Sequence, residues 1–315
     1  MATYRTRLPQ LDGRLFLTDG GLETYLCFQR GIDLPEFASF PLLDDATGRA
    51  EITNYMTPFI LAALAQQAGF ILETPTWRAH ADWGAKLGYG RTDLARVNAA
   101  AVTLMADIRV RHETPQSPMV ISGNIGPRGD GYNPAELLAP DAAEAYHAAQ
   151  IATFAETEAD LVTAMTITHV GEATGIARAA EKAGLPVVIS FTTETDGRLP
   201  EGQTLADAVK AVDDATGGAV AYYMINCAHP THFQDALEQG ADWIGRIRGI
   251  RANASTKSHA ELDNSVELDE GDPQELGGQY RALLAAFPHF TVLGGCCGTD
   301  HRHIACIGHA CRDAA

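Results

Sequence analysis

The sequence predicts a (β/α)8 TIM barrel that forms a single domain over residues 1–315. Short apolar segments rich in β-branched and aromatic residues alternate with longer segments of helical spacing along the chain. The apolar segments are continuous runs, which is typical of parallel strands covered by helices. Eight alternations in 315 residues suit a closed barrel. A doubly wound sheet is the alternative, but residues 19–23 read D-G-G-L-E and lack the glycine-rich phosphate loop of that fold.

The predicted elements follow in order along the chain. The strand candidates are runs such as F-I-L-E-T and V-V-I-S-F-T, at residues 14–19, 70–74, 119–124, 161–166, 187–192, 222–227, 243–250 and 291–297. Glycines stop two of the helices, and one of these ends in A-G-L-P, a glycine cap with a proline beyond it. The predicted helices cover residues 55–69, 91–111, 140–159, 172–184, 204–216, 230–240 and 273–287, with 301–311 as the last barrel helix.

Most of the predicted strands end in a polar or thiol side chain. The carboxyl ends of barrel strands meet at one rim, and barrel enzymes place their active sites there. The sequence therefore predicts a functional site built from residues at these ends: Asp19, Glu73, Thr74, Asn124, Met165, Thr166, Thr192, Thr193, Asn226, Cys227, Asn253, Cys296 and Cys297.

The segment L-G-G-C-C-G-T-D, residues 293–300, carries two adjacent cysteines, Cys296 and Cys297. A disulfide between neighbouring residues is strained, so a mutual bond is not expected. The flanking glycines permit a backbone bend that turns both thiols toward one target. Because the barrel brings Cys227 to the same rim, three thiols can converge on one Zn²⁺, which in catalytic sites commonly has three protein ligands. Small core cysteines are the alternative interpretation.

A three-thiolate zinc site favours a particular chemistry. Three thiolates place a charge of −3 around a +2 ion, so the metal is a weak Lewis acid and is poorly suited to activating water. Such a site suits a substrate thiol, which loses its proton on binding the metal and remains nucleophilic. The predicted reaction is alkyl transfer to sulfur. A substrate ammonium and carboxylate would need a carboxylate and amide N–H groups, which Asp19 and the glycines after it can supply.

Composition limits the partners and the compartment. The formal net charge of −17 argues against nucleic acid and anionic membrane surfaces as partners. No apolar run is long enough to span a membrane, and the polar segment 1–10 does not have the apolar core of a signal peptide. We therefore expect a cytoplasmic protein, in which the six cysteines serve as ligands, nucleophiles or core residues.

Several motifs resemble the homocysteine S-methyltransferase family. The combination of N-C with a distant G-G-C-C-G-T is the specific part, and the matching motifs extend from residue 18 to residue 299. The strong matches are T-D-G-G-L-E-T at 18–24, N-C at 226–227 and G-G-C-C-G-T at 294–299. Weaker matches are E-T-P-T at 73–76, G-N-I-G-P at 123–127 and A-N-A-S at 252–255.

The resemblance implies a zinc-bearing TIM barrel that methylates homocysteine to methionine. Members of this family use S-methylmethionine, S-adenosylmethionine, betaine or a methyl-folate. We expect a sulfonium donor, S-methylmethionine or S-adenosylmethionine, because its neutral leaving group needs no activation. The partners would be this donor and a small thiol acceptor, and the protein would be a monomer or homodimer. The resemblance implies Cys227, Cys296 and Cys297 as zinc ligands. These three cysteines and Asp19, which would contact the acceptor amine, are the predicted catalytic residues. The residues expected around the amino-acid head are Asp19, Gly20, Glu73, Thr74 and Asn226.

One position departs from the family pattern. The fourth strand of the family usually ends in a glutamate that also holds the amine, and Met165 stands there in this sequence. A thioether cannot replace a carboxylate, and the lost charged hydrogen bond is worth roughly 1.5–3 kcal/mol. Either Glu73 or Glu194 replaces it, or the acceptor is a different small thiol or selenol. A non-catalytic barrel with a closed zinc site is a further alternative, with His229 or the tail 301–311 as fourth ligand.

Aromatic side chains are candidates for holding a cationic donor. Trp77, Tyr89 and Tyr132 lie in predicted loops after the second and third strands, where cation–π contacts with a sulfonium are possible. The tail 301–311 contains three histidines and two cysteines, and we interpret it as a solvated helix face rather than a second metal site.

Overall fold

The computed structural model describes residues 1–132, 136–237 and 241–312, and eight parallel strands in these ranges close a barrel in sequence order. This confirms the predicted fold class. The strands are β1 (Phe16–Leu17), β2 (Gly69–Glu73), β3 (Met119–Ile125), β4 (Leu161–Ile167), β5 (Val187–Thr192), β6 (Val220–Asn226), β7 (Ile247–Ala252) and β8 (Val292–Gly295).

The barrel closes through its shortest strand. Phe16 of β1 is in register with Gly69 of β2 on one side and with Val292 of β8 on the other. A Cβ atom at Gly69 would collide with the Phe16 ring, so glycine permits this close approach.

Helices cover the outside of the barrel, which explains why most strands are apolar on both faces. The longer helices begin after β1, β2, β3, β4, β5, β7 and β8. In order, the helices are α1 (Leu22–Thr24), α2 (Ala46–Gln66), α3 (Ala81–Lys86), α4 (Arg91–His112), α5 (Pro140–Ala155), α6 (Val170–Ala183), α7 (Leu205–Thr216), α8 (Pro230–Phe233), α9 (His259–Asp263), α10 (Pro273–Ala286) and α11 (His301–Cys311).

Several element boundaries differ from the sequence predictions, among them those of α2, α8 and β7. Helix α2 begins at Ala46 rather than residue 55, because the Asp45 side chain caps it by accepting from the Gly48 N–H. The predicted helix 230–240 is short, since α8 ends at Phe233 and a 3-10 turn follows; residues 238–240 lie outside the described residues. Residues 242–246 form a 3-10 turn, so β7 begins and ends later than predicted.

The amino-terminal half of the barrel is filled by apolar side chains. One cluster gathers inward-facing residues from seven strands with Leu8 of the segment that precedes β1: Phe16, Ile71, Val120, Leu161, Val188, Tyr222, Met224 and Val292. Gln10 in the same segment donates to the Tyr222 hydroxyl, and its carbonyl accepts from Thr291 Oγ1. This end of the barrel is therefore closed, and polar side chains are left to the opposite rim.

Within the described part of the chain, no helix combines the length and the apolar composition needed to cross a membrane.

Candidate metal centre and adjoining cavities

Three thiols meet at the carboxyl-terminal rim of the barrel. Cys227 follows β6 directly, and Cys296 and Cys297 follow β8. Cys227 Sγ lies 3.0 Å from Cys296 Sγ and 3.6 Å from Cys297 Sγ. Both distances exceed a disulfide bond of about 2.05 Å, and all three thiols are free. Among the residues that the structure describes, this is the one cluster of three or more His, Cys, Asp or Glu ligand atoms close enough to share an ion.

Backbone geometry turns these thiols inward. Cys227 has φ of 58°, in the left-handed region that a side chain disfavours, and its N–H donates to the Arg251 carbonyl. The chain after Cys297 turns at Gly298, where φ is 78° and a Cβ atom would collide with the Asp269 carbonyl. Unfavourable backbone conformations of this kind persist where the surrounding structure enforces them, and they concentrate at functional sites.

The donor set fits a soft divalent ion. Zn–S bonds of about 2.3 Å in a tetrahedral site place sulfur atoms roughly 3.8 Å apart, so small shifts of these thiols would accommodate the ion. The neighbouring Cys227 and Cys297 thiols, and then the Arg251 guanidinium, hold the pKa of Cys296 well below its usual range. The same thiol contacts, together with burial, raise the pKa of Cys227 well above its usual range. A dication bound by the cluster would favour the thiolate form of all three cysteines.

Two cavities adjoin the thiols on different sides. The first, of about 70 Å³, reaches Cys296 and Cys297 and includes Asp19 and Glu73 in its lining. The second, of about 340 Å³, reaches Cys227 and Cys297. The cluster therefore stands between two spaces that share four lining residues: Thr24, Phe37, Tyr132 and Cys297.

A buried arginine, Arg251, dominates the electrostatics of the first cavity. Its Nη2 donates to Asp19 Oδ1 at 2.7 Å and to the Gly20 carbonyl at 3.1 Å. Its Nη1 lies 3.9 Å from Glu73 Oε1. Arg251 therefore balances two carboxylates at the floor of the cavity. Tyr55 adds a hydrogen bond from its hydroxyl to Asp19 Oδ2 at 3.1 Å.

Burial raises the pKa of Glu73 from 4.5 to about 7, with Arg251 opposing the shift and Asp19 adding to it. The folded chain therefore holds this proton more tightly than the unfolded chain does. The stability that it contributes is full below pH 4.5 and is lost as the pH rises through 7.

We expect Glu73→Gln to remove this pH dependence. The free energy of unfolding of the wild type should fall, relative to that of the variant, between pH 4.5 and 7. Urea unfolding of both proteins at the two ends of this window measures the difference. Parallel pH profiles would contradict the shifted pKa of Glu73.

Asn226 connects two strand ends beside the thiols. Its Oδ1 accepts from the Thr166 N–H at 2.9 Å and from Ser190 Oγ at 2.7 Å. Its Nδ2 donates to Thr166 Oγ1 at 2.9 Å. Thr166 has φ of 63° and lies where the register of β4 shifts. Asn226 thus holds an irregular strand end in place while it also lines the first cavity.

The sequence profile of the homocysteine S-methyltransferase family matches residues 16–311. The chain belongs to this family of methyltransferases. It is also similar to solved structures of the homocysteine methyltransferase MmuM from Escherichia coli. The metallated form has a TM-score of 0.76 at 20% identity and covers 97% of this chain and 99% of that chain. The oxidized form has a TM-score of 0.78 at 20% identity, with coverage of 98% and 99%. These structures show a shared fold.

The substrate-side residues predicted for this family member lie together. Five residues line the first cavity: Asp19, Gly20, Glu73, Thr74 and Asn226. The Thr74 hydroxyl is already engaged, because it accepts from the Asn124 N–H at 2.9 Å and lies 2.6 Å from Thr76 Oγ1. Met165 also lines this cavity, and its carbonyl accepts from Trp77 Nε1. Met165, the residue that departs from the family pattern, therefore lies in the cavity with the predicted substrate-binding residues.

Of the remaining candidates, Glu194 and Tyr89 lie away from the site and Tyr132 lies in it. Glu194 is part of a turn, where its N–H donates to the Arg198 carbonyl, and it is not among the residues that line either cavity. Tyr89 packs edge-on against Phe40 and donates to Asp44, away from both cavities. Tyr132 lines both cavities, and its hydroxyl lies 2.9 Å from Cys227 Sγ.

Neither proposed extra ligand reaches the thiols. His229 caps α8 by accepting from the Thr231 N–H. The tail forms α11 as predicted, but the interpretation of 301–311 as a solvated face is wrong for His303. Its ring is fully buried between the Glu270 carbonyl and Asp300, because it closes the capping interaction at the start of α11.

Sequence reasoning missed two charged residues of the first cavity. The predicted seventh strand ended at residue 250, so Arg251 was not included among the residues at strand ends. An arginine directly after an apolar strand would have indicated a charged group at the rim of the barrel. Glu23 lies in the motif T-D-G-G-L-E-T at residues 18–24, but no function was predicted for it. In the structure Glu23 lines the first cavity.

Proposed function

We propose that this family member transfers a methyl group from a sulfonium donor to the thiolate of homocysteine at a Zn²⁺ site formed by Cys227, Cys296 and Cys297. The observation that carries the proposal is the position of the three thiols between two cavities. Two substrates must approach one sulfur centre from different sides, and this arrangement provides both approaches.

The choice of zinc rests on the ligand type. Three cysteine thiols select soft or borderline metals over Mg²⁺ or Ca²⁺. A metallated form is known for the E. coli protein of the same fold. When bound, Zn²⁺ would favour the thiolate form of the acceptor at neutral pH, which supplies the nucleophile.

The first cavity is assigned to the acceptor. Its floor combines Asp19 and Glu73 with Arg251, and its walls include Gly20, Thr74 and Asn226. These groups are proposed to bind the amino-acid head of homocysteine and to orient its sulfur toward the cluster. Arg251 keeps the floor close to neutral, so the floor does not repel the carboxylate of the substrate.

The second cavity is assigned to the donor. Its lining combines aromatic rings with acidic side chains that outnumber the one arginine there, Arg78, and both groups attract a sulfonium cation: Phe28, Phe37, Tyr132 and His259 with Asp130, Asp263, Glu267 and Asp269. In the transfer, the acceptor sulfur forms a bond to the methyl carbon as the bond from that carbon to the sulfonium sulfur breaks. The electron pair of the broken bond stays on the donor, which leaves as a neutral thioether.

The closed, non-catalytic alternative has less support. A structural zinc site usually has four protein ligands. His229 and His303 are engaged in helix caps, and the thiols face cavities instead. We further propose a single domain over residues 1–315, a monomer or homodimer, and a cytoplasmic location, which suits six unpaired cysteines.

A methyl-transfer assay on protein of known metal content tests the proposal. Homocysteine is offered with S-methylmethionine and, in parallel, with S-adenosylmethionine, and methionine is measured. Formation of methionine that rises with zinc occupancy is the expected result. Protein that is fully loaded with zinc and forms no methionine with either donor would overturn the proposed reaction.

A further inference from the structure

Within the described residues, Glu23 is a carboxylate of the first cavity that no cation contacts directly, and the Arg78 guanidinium acts on it only at longer range. It lies in α1, directly after the Gly20–Gly21 loop that follows β1, and it lines the first cavity beside Cys296. A Cβ atom at Gly21 would collide with the Cys296 carbonyl, so this loop packs against the chain that carries the thiols. Glu23 is half-buried, and no ion pair to it is found among the described residues.

One oxygen of Glu23 is anchored and the other is not. The Ser39 hydroxyl donates to Oε1 at 2.7 Å, and Ser39 is buried against the Pro75 carbonyl. Apart from the backbone N–H of Glu23 itself, which stabilises the carboxylate, no hydrogen bond from another described residue to Oε2 is found, and this oxygen is not among the fully buried atoms that lack a partner. The side chain is therefore held in place with one oxygen left accessible in the cavity.

The other two carboxylates of the cavity are differently placed. Asp19 is bound by the Arg251 guanidinium and the Tyr55 hydroxyl. Glu73 is only 3% exposed and shares the same guanidinium. A further ammonium added near them would face Arg251, so neither is free to neutralise it alone. Met165, on the wall of the cavity, carries no charge.

We propose that Glu23 is the specificity-determining residue that binds the ammonium group of the acceptor, with Ser39 as its positioning residue. This inference rests on the proposed function, in which the acceptor is an amino acid with a thiol side chain. The thiol reaches the cysteine cluster, and the ammonium at the other end of the molecule pairs with Glu23 Oε2. The site then selects amino-acid thiols over thiols of the same length without the amine.

The test compares homocysteine with 4-mercaptobutyrate, which lacks only the amine. Binding of each thiol to zinc-loaded wild type and Glu23→Gln is measured by calorimetry, and KM and kcat are measured separately. Glu23→Gln should weaken homocysteine binding and raise its KM by about 10-fold or more, with a smaller change in kcat. Binding of 4-mercaptobutyrate should be unchanged.

Three variants complete the design. Ser39→Ala keeps the carboxylate and should give a smaller loss that is again confined to homocysteine. Met165→Glu in the Glu23→Gln background should restore part of the homocysteine affinity. Glu36→Gln is the matched control, because that carboxylate is exposed and pairs with Lys86 outside the cavity.

The outcomes separate this inference from the proposed reaction. Equal weakening of both thiols, or no weakening of either, would overturn the role of Glu23 even if methionine is formed. Selective loss of homocysteine binding, in a protein that forms no methionine with either donor, would uphold Glu23 and overturn the reaction. A wild type that binds neither thiol would overturn both.

Discussion

Replacement of Cys297 by serine is expected to remove the metal and methyl transfer together. Cys297 is the thiol that lines both cavities, and it lies 3.6 Å from Cys227 Sγ. A serine hydroxyl is a much poorer ligand for a soft metal than a thiolate. Replacement of a residue that only hydrogen-bonds to a metal ligand typically lowers metal affinity or activity by about 10- to 100-fold. Loss of a ligand itself should therefore lower activity by at least about 100-fold. Metal content by elemental analysis and methionine formation are measured on the same preparations.

The control for this prediction is Cys306→Ser, a free thiol in α11 outside the cluster. This variant should keep its metal and its activity. A Cys297→Ser protein that retains both the metal and full turnover would show that the cluster is not the metal centre of this enzyme. Loss of activity with the metal retained would separate the chemical role of Cys297 from its role as a ligand.

Replacement of Arg251 by methionine is expected to have the largest effect on stability. Arg251 is 6% exposed, and it faces Asp19 at 2.7 Å and Glu73 at 3.9 Å. Its loss leaves two buried carboxylates without their shared cation, and removal of one partner from a buried ion pair typically costs about 3–5 kcal/mol. The free energy of unfolding in urea, measured at neutral pH, should fall by this amount.

The pH dependence of the Arg251→Met variant provides a second readout. Burial already raises the pKa of both Asp19 and Glu73, and Arg251 opposes this. Without Arg251 the folded variant takes up protons more readily than the unfolded chain, so its deficit in stability should shrink as the pH is lowered. Arg7→Ala is the control, since its ion pair with Asp12 is exposed and should contribute less than about 1 kcal/mol. A deficit that is independent of pH would indicate lost packing rather than lost charge balance.

Glu73 and Glu23 are both carboxylates of the first cavity, but their different positions lead to different expected roles. Glu73 is at a strand end, where burial and Arg251 make it part of the floor. Glu23 is in the loop-and-helix segment after β1, where Ser39 holds it beside the cavity. The first is expected to govern stability through its pKa, and the second is expected to govern the choice of acceptor.

The closed barrel and the convergence of the three cysteines could both be predicted from the amino-acid sequence. Parallel strands buried on both faces must be continuous apolar runs, and the geometry of a barrel brings their carboxyl ends to one rim. Cys227 and Cys296 were therefore placed together although 69 residues separate them. Strand ends were less well predicted. Strand β6 ends at Asn226 and β8 ends at Gly295, so the three thiols lie just after the last hydrogen-bonded residues of their strands. Local propensity does not show where the hydrogen bonds between strands stop.

The pairing of the charges around the site could not be predicted from the sequence and is seen only in the folded chain. The partners of Arg251 are 232 and 178 residues away in sequence, at Asp19 and Glu73, and no local pattern reports such a contact. The role proposed for Glu23 could not be predicted from the sequence either. It depends on Glu23 being the carboxylate of the first cavity that Arg251 does not reach. Burial and charge pairing depend on which side chains face each other across the closed rim, and that is a property of the folded chain rather than of any segment of it.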